Sequence, residues 1–169
     1  MDKKWILILI ILIVGCFSMY FIVESSNTVG TAITVLNKTV VTIPDDLSIK
    51  ASEKNHVELF NKHGTEKIHI KDMGKNDTSL NSFKNNLNNL KSKPDINIIS
   101  NSTYDINNIT TYRIDFENTT SGNMTFAYLY TANHTFTINM SGYNNTQSLN
   151  SDLEFIVSTL KPDFKQSQD

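Results

Sequence analysis

Nineteen consecutive residues, Trp5 to Val23, carry no side chain charged at neutral pH, the Cys16 thiol and the Tyr20 phenol being the only titratable groups. As an α-helix this run covers about 28 Å, the thickness of a bilayer's hydrocarbon core. Lys3 and Lys4 precede it and Glu24 follows it. The positive-inside rule then keeps the N-terminus in the cytoplasm and places the rest of the chain outside. The expected layout is a cytoplasmic stub (1–4), a single-pass anchor in the cell membrane (5–23) and a tether (24–32). An extracytoplasmic domain (33–162) and a loose polar tail (163–169) follow. Two other readings of the run stay open. A signal peptide cut at 20–25 lacks small residues at Met19, Phe21 and Ile22, although Ser25 and Ser26 supply them. A lipoprotein signal would use Ile13-Val14-Gly15-Cys16, yet mostly apolar residues follow Cys16 where a polar tether is usual. All three readings hold the domain outside the cytoplasm.

What remains to fold is polar: from Glu24 onward Asn, Ser and Thr supply 54 of 146 residues. A chain of that length buries about two thirds of its surface and forms one domain, not two. The net charge is −2 and the pI near 6.1, with fourteen Lys and one Arg, so there is no basic stripe for nucleic acid. One cysteine excludes a disulfide framework and a Cys-built zinc site.

Two segments carry the helical period. Leu80, Phe83, Leu87 and Leu90 follow Asp77-Thr78-Ser79, which offers capping groups, and Pro94 closes the segment. Leu149, Leu153, Ile156, Val157 and Leu160 form a second stripe, with Ser151-Asp-Leu-Glu154 at capping-box spacing and Lys161-Pro162 at its end. Each stripe is narrow, so each helix packs on something flat. Alternation supplies the flat partner. Tyr112, Ile114 and Phe116 oppose Thr111, Arg113 and Asp115, and Phe136, Ile138 and Met140 oppose Thr137, Asn139 and Ser141. Between them Met124–Thr131 is apolar on both faces and belongs in a sheet interior. Turns at 118–122 and 132–134 make these a meander. Earlier strands are expected at Thr39–Ile43, His56–Phe60, Glu66–Ile70 and Ile96–Tyr104. The fold class is therefore α+β, an antiparallel sheet packed against two amphipathic helices.

The element order, an N-terminal anchor, the Val40-Val41-Thr42-Ile43-Pro44 opening, the helix begun by Thr78-Ser79 and the closing Phe155-Ile-Val-Ser-Thr-Leu-Lys-Pro162 resemble the PsbP-like superfamily, as in small membrane-anchored proteins of methanogenic archaea. The resemblance covers roughly residues 33–162. It implies an adaptor or assembly domain without catalysis, and it carries no functional motif onto particular residues. The excess of Asn, Ile and Lys fits an A+T-rich genome.

The strongest local signal is Asn-x-Ser/Thr, at Asn37, Asn76, Asn101, Asn108, Asn118, Asn123, Asn133, Asn139 and Asn144. Composition alone would give about four such triplets. They are candidate glycosylation sites on an extracytoplasmic face, with the turn residues Asn118 and Asn133 foremost. The competing explanation is an Asn- and Thr-rich strand surface.

His56, His63 and His69 lie close together in sequence, with Glu58, Glu66 and Asp72 nearby, and carry the chemistry to ligate Zn²⁺ or Cu²⁺. No compact ligand motif joins them. Alternation turns His69 outward between Lys67 and Lys71, so exposed strand histidines are expected, with no metal and no cofactor. His134, at a hairpin tip, is expected to face solvent. Arg113, the sole arginine, is expected to pair with Asp115, Glu117 or a cross-strand acid, and less readily to hold an acidic ligand. No Gly-x-Ser-x-Gly elbow or phosphate loop is present, and Asp45-Asp46 read as turn residues. No catalytic residue is expected. The expectation is a non-enzymatic, membrane-anchored binding or assembly module whose partner is an envelope protein or wall component. The alternative is a small-ligand or metal-binding surface domain using the His56–Asp72 region.

Overall fold

The computed structural model describes residues 30–35, 39–131 and 133–161. The Trp5–Val23 run with Cys16, the tether up to residue 29, Asn37 and the 163–169 tail lie outside the described residues. No helix among the described residues is long and apolar enough to cross a membrane.

The described chain is α+β. A hairpin of β1 (Gly30–Val35) and β2 (Thr39–Pro44) stands apart from a seven-stranded sheet, and β1 overlaps the last residues of the expected tether. The sheet holds β3 (Leu47–Glu53), β4 (His56–Asn61), β5 (Lys67–Asp72), β6 (Ile96–Ile106), β7 (Ile109–Asn118), β8 (Gly122–Thr131) and β9 (His134–Ser141). Its spatial order is β3-β4-β5-β9-β8-β7-β6, antiparallel throughout. The helices are α1 (Ser79–Lys91) and α2 (Thr146–Thr159).

The alternation read from sequence decides which side each helix covers. In β7 the apolar set Tyr112, Ile114 and Phe116 meets Phe83, Leu87 and Leu90 of α1. In β9 the apolar set Phe136, Ile138 and Met140 points the other way. There it joins Val57, Leu59, Ile68, Ile70 and the α2 residues Leu149, Leu153, Ile156 and Val157. The register Tyr128↔Thr137 and Ala127↔Ile138 makes β8 the strand on which both cores overlap, which explains its two apolar faces. The helices thus lie on opposite faces. Val40 and Lys161 exchange backbone hydrogen bonds of 3.0 and 2.9 Å, tying the β1–β2 hairpin to the end of α2.

Three details differ from the expectation. The inward stripe of α1 starts at Ser79, which is buried, and so Leu80 is turned out and 39% exposed. Asp77 Oδ1 accepts from both the N–H and the hydroxyl of Ser79 (3.2 and 2.7 Å), fixing that rotation. Helix α2 begins before Ser151: Asn145 is its N-cap, accepting from the N–H of Gln147 at 2.8 Å, and the extra turn buries Leu149. Finally, β3 is a strand absent from the expected elements. Only Leu47 of it is buried, and a bulge between Ile49 and Ala51 interrupts its pairing with β4.

Candidate functional site

Two places gather chemistry, on opposite faces of the sheet. The first lies on the α2 side, where β6, β7 and β8 extend past the apolar core. Cross-strand register there puts Arg113 opposite Ser102 and Ala127, and Asp115 opposite Ser100 and Thr125. Arg113 Nε donates to Asp115 Oδ1 at 2.7 Å, as expected, and its Nη1 reaches Tyr104 Oη at 3.4 Å. Asp115 also accepts from Thr125 Oγ1 at 2.6 Å and Ser100 Oγ at 2.8 Å. Burial works against the guanidinium's charge, but the hydrogen bonds with Tyr104 and Asp115 outweigh it and hold the pKa above its ordinary value. The pair is a neutralised, directional patch set into the sheet.

Between this patch and the first turns of α2 lies a cavity of ≈ 290 Å³. Thr146, Leu149 and Asn150 close it from the helix side, and Tyr143 and Ile99 supply apolar surface. Among the described residues the buried Oδ1 of Asn150 has no hydrogen-bond partner. The site therefore offers several hydroxyls, amide groups and an Arg–Asp pair to a ligand of mixed polarity. Beside it, the buried Tyr143 hydroxyl donates to Asp152 Oδ2 at 2.7 Å. Burial pushes the Asp152 carboxyl up to about 6; the Tyr143 bond opposes this, while Asp46 and Glu66 add to it. No motif in the sequence marks Asp152, although its spacing from Leu149 and Ile156 places it on the buried arc of the helix.

The second place is the open stretch of the α1-side face, over β4 and β5. His56 and Glu58 are two apart on β4 and share that face, and the register sets His69 of β5 directly opposite Glu58. His56 Nε2 and His69 Nδ1 are 3.4 Å apart, and Glu58 Oε1 lies 3.6 and 3.4 Å from them. The imidazole planes are 16° apart with centroids at 5.6 Å. Burial, with help from His56 and Lys67 and against Glu58, lowers the His69 pKa. Neither His63 nor Glu66 joins them. His63 is exposed in the turn after β4, and Glu66 accepts from Asn61 Nδ2 at 2.9 Å.

His134 is not solvent-facing. Its side chain is 12% exposed and its Nδ1 lies 2.8 Å from Asp72 Oδ2, because the Asp72↔Phe136 register brings the end of β5 beside the start of β9. Asp72 is thereby taken out of the histidine group. The Asn-x-Ser/Thr residues scatter. Asn76, Asn101, Asn108, Asn123, Asn133 and Asn144 are exposed, and Asn139 is half-buried. Asn108 and Asn133 hold positive φ (64° and 66°), a conformation for which Asn is selected in turns. Asn118 uses its amide oxygen to accept from the N–H groups of Thr120 and Ser121 (2.8 and 2.9 Å) and its Nδ2 to bond Asp95 at 3.2 Å.

No family model and no curated protein matches the chain. Solved structures do. A protein from Bacteroides thetaiotaomicron superposes with a TM-score of 0.57 at 12% identity, over 83% of this chain and 50% of its own. This chain thus spans half the length of that protein. LpqN of Mycobacterium tuberculosis, involved in cell envelope biogenesis, gives 0.49 at 11% identity, over 81% of this chain and 88% of its own. Cyanobacterial PsbP (CyanoP) from Synechocystis sp. PCC 6803 gives 0.52 at 11% identity, over 78% of this chain and 91% of its own. The described domain has a PsbP-like fold.

Proposed function

We propose that this chain is a membrane-anchored, extracytoplasmic binding or assembly module of the cell envelope, acting without catalysis. The observation that carries the binding role is the cavity of ≈ 290 Å³ beneath α2. Its polar groups are hydroxyls, amides and an Arg113–Asp115 pair whose charges already satisfy one another. Groups so arranged orient a ligand through hydrogen bonds. The placement outside the membrane rests on the Trp5–Val23 run and the lysines before it. A PsbP-like fold is in keeping with an adaptor role. Envelope proteins or wall components are the partners this reading implies, and the exposed Asn-x-Thr triplets would be its modification sites.

Two measurements test the reading together. Protease added outside intact cells should remove the domain, leaving a short membrane-embedded fragment. A photo-crosslinker at Ser102, on the exposed side of the cavity, should join the chain to one envelope protein or wall component. A Trp in place of Asn123 should abolish that crosslink without lowering Tm. A domain protected from external protease would overturn the placement. A crosslink unaffected by Asn123→Trp would overturn the role of the cavity.

A further inference from the structure

The atoms His56 Nε2, His69 Nδ1 and Glu58 Oε1 mark a triangle with edges of 3.4, 3.4 and 3.6 Å. These separations are long for hydrogen bonds, above all for a charge-assisted one between imidazole and carboxylate. They suit another geometry. A triangle of these edges is one face of a tetrahedron whose centre lies about 2.1 Å from each corner, the length of Zn–N(His) and Zn–O(carboxylate) bonds. We propose that His56, Glu58 and His69 form a surface site for a divalent transition-metal ion of the borderline class to which Zn²⁺ belongs. This inference is independent of the reading given to the cavity, which lies on the other face of the sheet.

Two features of the fold support it. The ligands come from adjacent antiparallel strands, two from β4 and one from β5, so the ladder itself holds their spacing. All three side chains are half-buried, with 26%, 26% and 38% of His56, Glu58 and His69 exposed, which fixes the rings while leaving access for an ion. Two imidazoles and one carboxylate are also a chemically apt set: they favour Zn²⁺, Ni²⁺ or Cu²⁺ over Mg²⁺ or Ca²⁺, which want oxygen alone. A fourth position, on the solvent side, is left for water or for a side chain of another molecule. Around the trio Glu53 lies opposite His56 on β3, Lys71 opposite it on β5, and Lys67 two residues before His69. The charge of the bound ion is thus opposed by two lysines and favoured by two carboxylates.

The test uses the full chain purified in detergent, stripped with EDTA and titrated with Zn²⁺ alone by calorimetry, with bound metal counted by elemental mass spectrometry after dialysis. One Zn²⁺ per chain is expected, together with a rise in Tm. His56→Ala and His69→Ala should each weaken binding at least tenfold while leaving the EDTA-treated Tm unchanged. His63→Ala, in the neighbouring turn, should bind as the parent does. Co²⁺ in place of Zn²⁺ should give the intense visible bands of a four-coordinate ion. Absence of stoichiometric zinc overturns the proposal. So does zinc that survives the double variant His56→Ala/His69→Ala, or that is lost equally in His63→Ala.

Discussion

Asp152 is a carboxylate held where ionisation is disfavoured. Its folded-state pKa, about 6, stands above the ordinary value near 4, so between those pH values the folded chain binds more protons than the unfolded one. Stability contributed by this group therefore falls as pH rises through that window and is lowest above it. Asp152→Asn keeps an acceptor for the Tyr143 hydroxyl and removes the charge beside Asp46 and Glu66. It should raise stability at pH 8 by about 1–3 kcal/mol and flatten the loss between pH 4 and 7. Denaturant melts at the two pH values check this; a variant less stable than the parent at pH 8 would refute it. Arg113 presents the opposite case. Asp115→Ala leaves a buried guanidinium without its carboxylate and strands the buried hydroxyl of Thr125, so a loss of about 3–5 kcal/mol is expected by the same melt.

These residues were unequally legible. Arg113 with Asp115 followed from alternation alone, since residues two apart on a strand share a face. His56, Glu58 and His69 were visible as residue types, and alternation put His69 on the outward face of its strand. What was missing was the register: only the pairing of Glu58 with His69 turns three outward side chains into one group. His134 was misjudged for the same reason, because nothing near it in sequence announces Asp72.

Among the elements, the helices show how stripes fix packing. Leu90 is buried on β6–β8 with Phe83, whereas Leu87 is only partly covered. Leu90→Ala should cost about 2–5 kcal/mol and Leu87→Ala clearly less, each read from a chemical melt. Equal losses would mean that α1 is rotated from its described seat. The meander strands and both helices were readable because each joins an apolar face to a recognisable break. Strand β3 was not, because an edge strand needs only one anchor, here Leu47, and shows water its remaining residues. Strand β1 was hidden likewise: Gly30 to Val35 pairs with β2 alone, so nothing required it to look like a member of a buried sheet.

At the scale of the whole molecule, sheet order and chain order diverge at one place. Strands β3 to β5 form one consecutive ribbon and β6 to β8 another, and β9, made after both, lies between them. Lys67 waits for Ser141, and Val40 waits for Lys161. Until His134–Ser141 has emerged, neither ribbon has a neighbour on its inner edge, and the apolar residues Ile68, Ile70, Ala127 and Leu129 have nothing to pack between. The domain is thus slow to complete, on the order of milliseconds to seconds for so non-local a topology. During synthesis it therefore stays incomplete until almost its last strand has arrived.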